Sequence, residues 1–304
     1  MEGSEIRGRA GLRGAPRRSC YTGLMDAFAH CENLVREADK DRFLATLFAP
    51  AEKRRALFAL YAFNVEIAGV QGKIREPFAG EARLQYWHDV ISGIGEPGGN
   101  PVAIAVLESI GRNALPGQLL LDIIEAHRFD IYDESFPRFD DLEQYARKTA
   151  STLIELAMRI LGEPDAAERN LAHDGGIAYA ITGLLRSFAF HAARGKVYVP
   201  EDLLAAHAVT AGEIVAARSS RQLRDVLAQL RGQARYGLER VGQALPDLQD
   251  RLVPAVLPLA LVRSYLARME CADYDPFRTP VDLPQWRKQW LLWRAARNPR
   301  RIAE

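Results

Sequence analysis

Apolar residues recur at intervals of three and four along almost the whole chain after Met25. The clearest example runs from Ala56 to Gly72, where the large apolar side chains are Leu57, Leu60, Tyr61, Phe63, Ile67 and Val70. This spacing is typical of a helix with a wide apolar face. Pro50, followed by Glu52 two residues later, supplies a helix start signal. We predict a central core helix here.

The same periodicity returns in segments separated by glycine and proline, with turn clusters such as Gly93–Asn100 and Pro116-Gly117 between them. No segment alternates with period two, and no internal repeat or interdomain linker stands out. We therefore predict one all-α domain, a helical bundle of about ten helices. The predicted segments are Met25–Phe48, Pro77–Ile94, one opened by Pro101, Leu119–Ile131, Leu142–Leu161, Ala166–Ala193, Leu223–Ala244, Val253–Met269 and Gln285–Arg297.

The predicted domain covers residues 25–297. Residues 1–24 are rich in arginine and glycine and lack the apolar centre of a secretory signal, so we expect a disordered tail. An organellar transit peptide is the alternative, which Glu2 and Glu5 argue against. Residues 298–304 are expected to form a basic C-terminal tail.

Charge and composition exclude several classes of function. The formal net charge is +1, with 48% hydrophobic and 26% charged residues, which predicts no general attraction to nucleic acid. The three cysteines are widely spaced and indicate no disulfide framework. No run of 18 apolar residues predicts a membrane-spanning helix.

The central segment also carries a family resemblance. LFAPAEKRRALFALYAFNVEIA resembles the first substrate-binding helix of the squalene/phytoene synthase family, in which an aspartate-rich motif holds magnesium and a prenyl diphosphate. The resemblance implies a bundle of the isoprenoid synthase type. Here the matching stretch, Ala68 to Gly72, contains no carboxylate. Asn64 and Glu66 precede it, and we interpret Glu66 as a solvated or locally paired acid, with a remnant metal ligand as the alternative.

A second stretch, GIAYAITGLLRSFAFHAARGKVYVPEDLL, resembles the family's second aspartate-rich motif and the segment behind it. Gly183 stands at the motif's asparagine, and Ser187 and His191 stand at its two aspartates, whereas Arg186 and Tyr198 are kept. We expect Ser187 and His191 to form a packed or hydrogen-bonded pair; acid–base work is the alternative. The resemblance implies that residues 64–72 and 183–191 face each other across the core.

Cations flank the region where the diphosphate would lie. Arg186, Arg194 and Lys196 could grip a phosphate or a lipid headgroup, or could serve only as cations at a helix end. The residues leave both interpretations open.

A third stretch, TASTLIELAMRILG, resembles the glycine-containing helix beside the isoprenoid tails. Ser151 and Ile154 stand where the family has glycine. Larger side chains in a packed site predict a smaller cavity.

The chain keeps the helices of the family but lacks both aspartate pairs. In this it resembles one branch of the family, which assists assembly of respiratory complex I. The resemblance implies a non-catalytic protein without cofactor or metal, whose partner is a complex I subunit or assembly intermediate. It would be cytoplasmic, peripheral at a bacterial inner membrane, or on the matrix side in a eukaryote. The alternatives are a prenyltransferase of isoprenoid biosynthesis that uses magnesium at an altered site, and a lipid-binding module.

The last predicted helix combines Trp286, Trp290 and Trp293 at helical spacing with many arginines. This pattern suits contact with a membrane surface. The alternative is a helix that docks its tryptophan face on the bundle with its cations in water. The basic tail after Arg294 is the better membrane candidate on the sequence alone.

Overall fold

The computed structural model of the protein describes residues 17–73, 76–132 and 134–304, and every regular element in these ranges is a helix. The all-α prediction is confirmed. The α-helices are α1 Arg17–Ala38, α2 Lys40–Thr46, α3 Ala51–Ala68, α4 Val70–Lys73, α5 Pro77–Ile91, α6 Pro101–Asn113, α7 Gly117–Ala126, α8 Phe139–Ala146, α9 Thr152–Leu161, α10 Ala166–Arg186, α11 Phe188–Ala192, α12 Glu201–Ala206, α13 Ala211–Val215, α14 Arg221–Ala244, α15 Val253–Val256, α16 Val262–Arg268 and α17 Gln285–Arg297.

Short helices of other types join several of these elements. A π-helix, Arg147–Ser151, connects α8 to α9 without a break in the helical path. The 3-10 helices are Phe129–Ile131, Leu245–Asp247, Asp250–Leu252, Leu257–Leu261 and Pro299–Ile302.

Helix α3 is the centre of the bundle. It begins after Pro50, and its last helical residue is Ala68. Every residue from Ala56 to Phe63 is buried, because α1, α6 and α9 pack around it. A helix that is apolar on all sides is typical of a fully enclosed position, so the predicted core helix is confirmed.

Helix α10 lies against α14 on one side and against the π-helix on the other. Asp165 caps its N-terminus by accepting a hydrogen bond from the Glu168 backbone N–H, while the Glu168 carboxylate accepts one from Asp165. Gly176 permits the close approach to the π-helix, since a Cβ there would overlap the backbone of Ser151.

Both ends of the chain differ from the expected tails. The first sixteen residues of the predicted tail lie outside the described residues, whereas its last eight belong to α1, which begins at Arg17 directly after Pro16. At the other end, residues 299–302 form a 3-10 helix. Ile302 is fully buried there, and Arg263 donates a hydrogen bond to the Ala303 carbonyl at 3.1 Å. The C-terminal segment is therefore docked on the bundle.

Helix α17 is docked on the bundle, but not through its tryptophan face as the alternative interpretation expected. Its buried residues are Lys288, Leu292 and Ala295, and its tryptophans lie on the exposed side. Within the ranges that the structure describes, no helix combines the length and apolar character needed to cross a bilayer.

Candidate functional site

A cavity of about 380 Å³ lies between α3 and α10. Helix α3 contributes Asn64 and Ala68, and the opposite wall comes from α10, from Ser187 and from His191 of α11. The prediction that residues 64–72 and 183–191 face each other is confirmed. The lining residues are Arg42, Asn64, Ala68, Gln71, His127, Asp130, Tyr145, Thr149, Ala150, Tyr179, Ala180, Gly183, Leu184, Ser187, His191 and Tyr198.

The far ends of the two segments also meet. Gly72 lies in α4, and a Cβ built on it would be 3.5 Å from the guanidinium of Arg194, just after α11. The C-terminal end of the first segment is therefore close to the chain that follows α11.

The structure brings together only some of the predicted site residues. Those that line the cavity are Asn64, Ala68, Gly183, Ser187, His191 and Tyr198. Glu66 is half-buried but is not among the lining residues, and it lies close to Tyr86 of α5, whose pKa is raised by burial and further by the Glu66 carboxylate. This agrees with the interpretation of Glu66 as a locally paired acid.

The third predicted segment contributes through different residues. The Ser151 hydroxyl donates to the His173 carbonyl at 2.8 Å and packs against Gly176, so it belongs to the contact between helices. Ile154 is buried in α9 and is not among the residues lining the cavity. The wall comes instead from Thr149 and Ala150 of the π-helix, an element often found at functional sites. The lining residues therefore do not support the expectation that Ile154 makes the cavity smaller.

Ser187 and His191 are linked through the backbone, since the His191 N–H donates to the Ser187 carbonyl at 3.0 Å. The His191 ring packs edge-on against Tyr198, with 4.7 Å between ring centroids. Its Nδ1 is buried without a hydrogen-bond partner in the described chain. Burial, with a smaller effect of Arg194, lowers the pKa of His191 to about 4. The imidazole is therefore neutral at physiological pH, and its Nδ1 has no acid among the described residues that would orient the ring as a base.

Asp130, which sequence analysis did not single out, is the one carboxylate among the described lining residues. Its two oxygens accept hydrogen bonds from the hydroxyls of Tyr145 and Tyr198, each at 2.9 Å, and His127 Nε2 lies 4.0 Å away. Burial raises the pKa of Asp130 despite these partners. The cluster combines His127 and Asp130 with Tyr145 and Tyr198 from separate segments of the chain, so no local sequence pattern predicts that they meet.

Arg42 is the permanent cation among the described lining residues, and it is paired internally. Its guanidinium lies 2.7 Å from the Asp39 carboxylate and 4.7 Å from the centre of the Tyr179 ring. The positive charge of Arg42, which could otherwise bind an anion in the cavity, is therefore already compensated by Asp39.

Arg186 belongs to an adjoining cavity of about 410 Å³, which shares Tyr179, Gly183 and Ser187 with the first. The acid at its centre is Asp41. Lys288 Nζ lies 2.9 Å from one oxygen of Asp41 and 2.7 Å from Asp282.

The other oxygen of Asp41 accepts a hydrogen bond from Tyr265 at 2.7 Å and lies 3.4 Å from Arg186. The Arg186 guanidinium also stacks over the Tyr265 ring at 3.7 Å. Of the two interpretations of Arg186, this geometry favours a structural cation with acidic partners over a free phosphate clamp.

The residues present do not fit a magnesium–diphosphate site. Magnesium prefers octahedral oxygen coordination, and Ala68, Gly72, Ser187 and His191 offer no carboxylate. Across residues 17–73, 76–132 and 134–304 no group of three or more His, Cys, Asp or Glu side chains could hold a metal ion. Three of the nearby acids, Asp39, Asp41 and Asp130, are engaged by cations or tyrosines.

The order of the helices and the position of the cavity define a bundle of the isoprenoid synthase type. The crystal structure of a dehydrosqualene synthase in complex with ligand superposes with a TM-score of 0.79, over 90% of this chain and 96% of that chain, at 19% sequence identity. The model of the squalene/phytoene synthase family matches residues 35–294. The chain belongs to the squalene/phytoene synthase family.

Its relatives within the family include two kinds of protein. The chain is 30% identical over 265 residues to the bovine protein named NADH dehydrogenase (ubiquinone) complex I, assembly factor 6, covering 86% of this chain and 78% of that relative. It is 27% identical over 289 residues to the phytoene synthase of Arthrospira platensis, covering 88% and 91%. Family membership is thus compatible with either role, and the site must distinguish them.

Proposed function

We propose that the protein is a non-catalytic member of its family that assists assembly of respiratory complex I. The observation that carries the proposal is the lack of a carboxylate at Ala68, Gly72, Ser187 and His191, which line or flank the cavity between α3 and α10. Ionisation of a prenyl diphosphate needs cations at the leaving group, and those cations need oxygen ligands. Similarity to a complex I assembly factor over most of the chain supports the same conclusion.

In this proposal the bundle binds a complex I subunit or an assembly intermediate and requires neither cofactor nor metal. The protein works at the periphery of the inner membrane, on the bacterial cytoplasmic side or on the matrix side in a eukaryote. The internal pairing of Arg42, Arg186 and Lys288 supports a structural use of groups that flank the cavity.

Deletion of the gene in its own host tests this function. We expect NADH:quinone oxidoreductase activity and the amount of assembled complex I to fall, and a plasmid copy of the unchanged gene to restore both. An unchanged amount and activity of complex I in the deletion strain would refute the proposal.

A prenyltransferase with an altered metal site is the second candidate. It is favoured by similarity to a phytoene synthase over 91% of that enzyme's length and by the retained cavity. The discriminating assay incubates the purified protein with farnesyl or geranylgeranyl diphosphate and magnesium. Pyrophosphate release that saturates with substrate would establish this candidate, whereas no release above background supports the non-catalytic proposal.

A further inference from the structure

Helix α17 presents three tryptophans to solvent along a single line. Trp286, Trp290 and Trp293 are 69%, 47% and 44% exposed, while Lys288, Leu292 and Ala295 hold the other side of the helix on the bundle. Spacings of four and three residues place the indoles above one another on one helix face. We call these three residues the tryptophan stripe.

Such exposure costs free energy unless something covers the stripe. Indole is the largest side chain, and a contiguous group of exposed aromatic rings marks an interaction site on a folded domain. The fourth tryptophan of the chain, Trp87, is 3% exposed and packs on Phe63 in the core. The stripe is thus not a general consequence of where this fold places tryptophan.

The charged side chains of α17 and the residues directly after it are mostly basic. Arg294 stacks on Trp290 and Arg297 stacks on Trp293, each with its guanidinium carbon 4.3 Å from the ring centre. Arg287, Arg300 and Arg301 are exposed nearby in the sequence. From Gln285 to Ala303 the sequence contains no acidic residue, and the next residue, Glu304, lies 3.4 Å from Arg301.

Two anchors fix the stripe to the body of the protein. Lys288 is buried on the inward face of α17 and pairs with Asp41 and Asp282. Beyond the helix, the buried Ile302 docks the segment that carries Arg300 and Arg301. The stripe and its cations therefore form a fixed surface rather than a mobile tail.

We propose that the tryptophan stripe is a docking surface for an anionic lipid bilayer, with α17 lying in the plane of the headgroups. Indole rings favour the boundary between headgroups and acyl chains, and arginines beside them reach lipid phosphates. A predominantly basic helix face complements a uniformly negative surface better than the mixed charges of a typical protein partner. This inference names where the proposed assembly function takes place but does not depend on that function.

The test uses the full-length protein and vesicles of phosphatidylcholine with or without phosphatidylglycerol. Flotation measures binding, and tryptophan fluorescence reports insertion, because three of the four tryptophans lie in the stripe. We expect binding with a blue shift only on the anionic vesicles, weakened by added salt.

The deciding variant combines Trp286→Ala, Trp290→Ala and Trp293→Ala and should weaken vesicle binding at least about tenfold. Its matched control combines Phe78→Ala, Ile94→Ala and Tyr236→Ala, which removes three other exposed side chains (82%, 79% and 58%) and should leave binding unchanged. Thermal unfolding of both variants confirms that the bundle is intact. Replacing Arg287, Arg294 and Arg297 by glutamine should remove most of the salt dependence.

Failure of the unchanged protein to bind anionic vesicles would overturn the inference, as would equal binding by the tryptophan variant. Loss of a protein partner by that variant, with vesicle binding unchanged, would assign the stripe to a protein interface and also overturn it. Complex I activity in a strain expressing the variant is measured separately. Absent vesicle binding together with a complex I defect in the deletion strain would refute the bilayer surface and leave the assembly proposal standing.

Discussion

Asp41 connects its own helix to three other elements of the bundle. This buried carboxylate of α2 meets Lys288 of α17, Tyr265 of α16 and Arg186 of α10. Two of these partners, Arg186 and Lys288, line the adjoining cavity. A buried charge is tolerated only when it is paired, so Asp41 and the cations around it stabilise each other.

Replacing Lys288 by methionine should therefore destabilise the fold by about 3 kcal/mol, because a buried carboxylate loses its closest cation. Urea denaturation at neutral pH measures the change. The double variant Asp41→Leu, Lys288→Met should recover about half of the loss, since both buried charges are then removed, while Arg186 and Asp282 remain 3.6 Å from each other. If the loss of unfolding free energy in the double variant equalled the sum of the losses in the two single variants, Asp41 and Lys288 would not be coupled.

His191 should make stability depend on pH. Its pKa is lowered from 6.5 to about 4 in the folded protein, so the fold favours the neutral ring. The resulting stability is present above pH 6.5 and is lost as the pH falls towards 4. Between these limits the free energy of unfolding should fall by about 2 kcal/mol more than in His191→Gln. Parallel pH profiles for the two proteins would contradict the assignment.

The sequence predicts some of these residues and misses others for a physical reason. Ser187 and His191 could be placed because they sit in register within a local motif. Asp41 and Asp130 could not, because their partners are brought to them by the fold from distant segments. Lys288 did carry a signal: it shares the spacing of Leu292 and Ala295, which places it on the inward helix face.

At the scale of elements, the contact between α10 and the π-helix sets the wall of the cavity. Gly176 lets the backbone of Ser151 approach, and the wider π-helical turn places Thr149 and Ala150 on the lining. The sequence predicts one helix over 142–161 but not its π-helical turn, because Arg147–Ser151 contains no proline or glycine to mark it. By contrast, Pro254 and Pro258 break the predicted segment 253–269, since each removes a backbone donor.

Gly176→Ala tests this contact. The added methyl group would overlap the Ser151 backbone, which cannot move away as a side chain could, so we expect a loss of about 3 kcal/mol in unfolding free energy. Gly183→Ala in the same helix is the matched control. Nothing lies within 4 Å of its added methyl group, and the better helix propensity should stabilise the protein by about 0.5–1 kcal/mol. Equal effects of the two substitutions would contradict the close packing.

At the scale of the whole molecule, the bundle and its two facing segments match the family, while the groups that would handle a diphosphate do not. The family register predicts where the cavity lies, because helix order and packing are shared across the fold. It does not predict that Arg42, Arg186 and Lys288 are neutralised by acids of the same chain. The proposed non-catalytic role is supported by both features, the missing carboxylates and the cations that are already paired with acids.

Calorimetric titration with a non-hydrolysable farnesyl diphosphate analogue, with and without Mg²⁺, shows whether the cavity binds a metal-bridged diphosphate. Ala68→Asp serves as the matched variant, since one restored carboxylate still leaves the ion short of oxygen ligands. We predict no magnesium-dependent binding in the micromolar range for either protein. Tight binding that disappears on adding a chelator would contradict the account, because acids distant in the sequence would then rebuild the metal site.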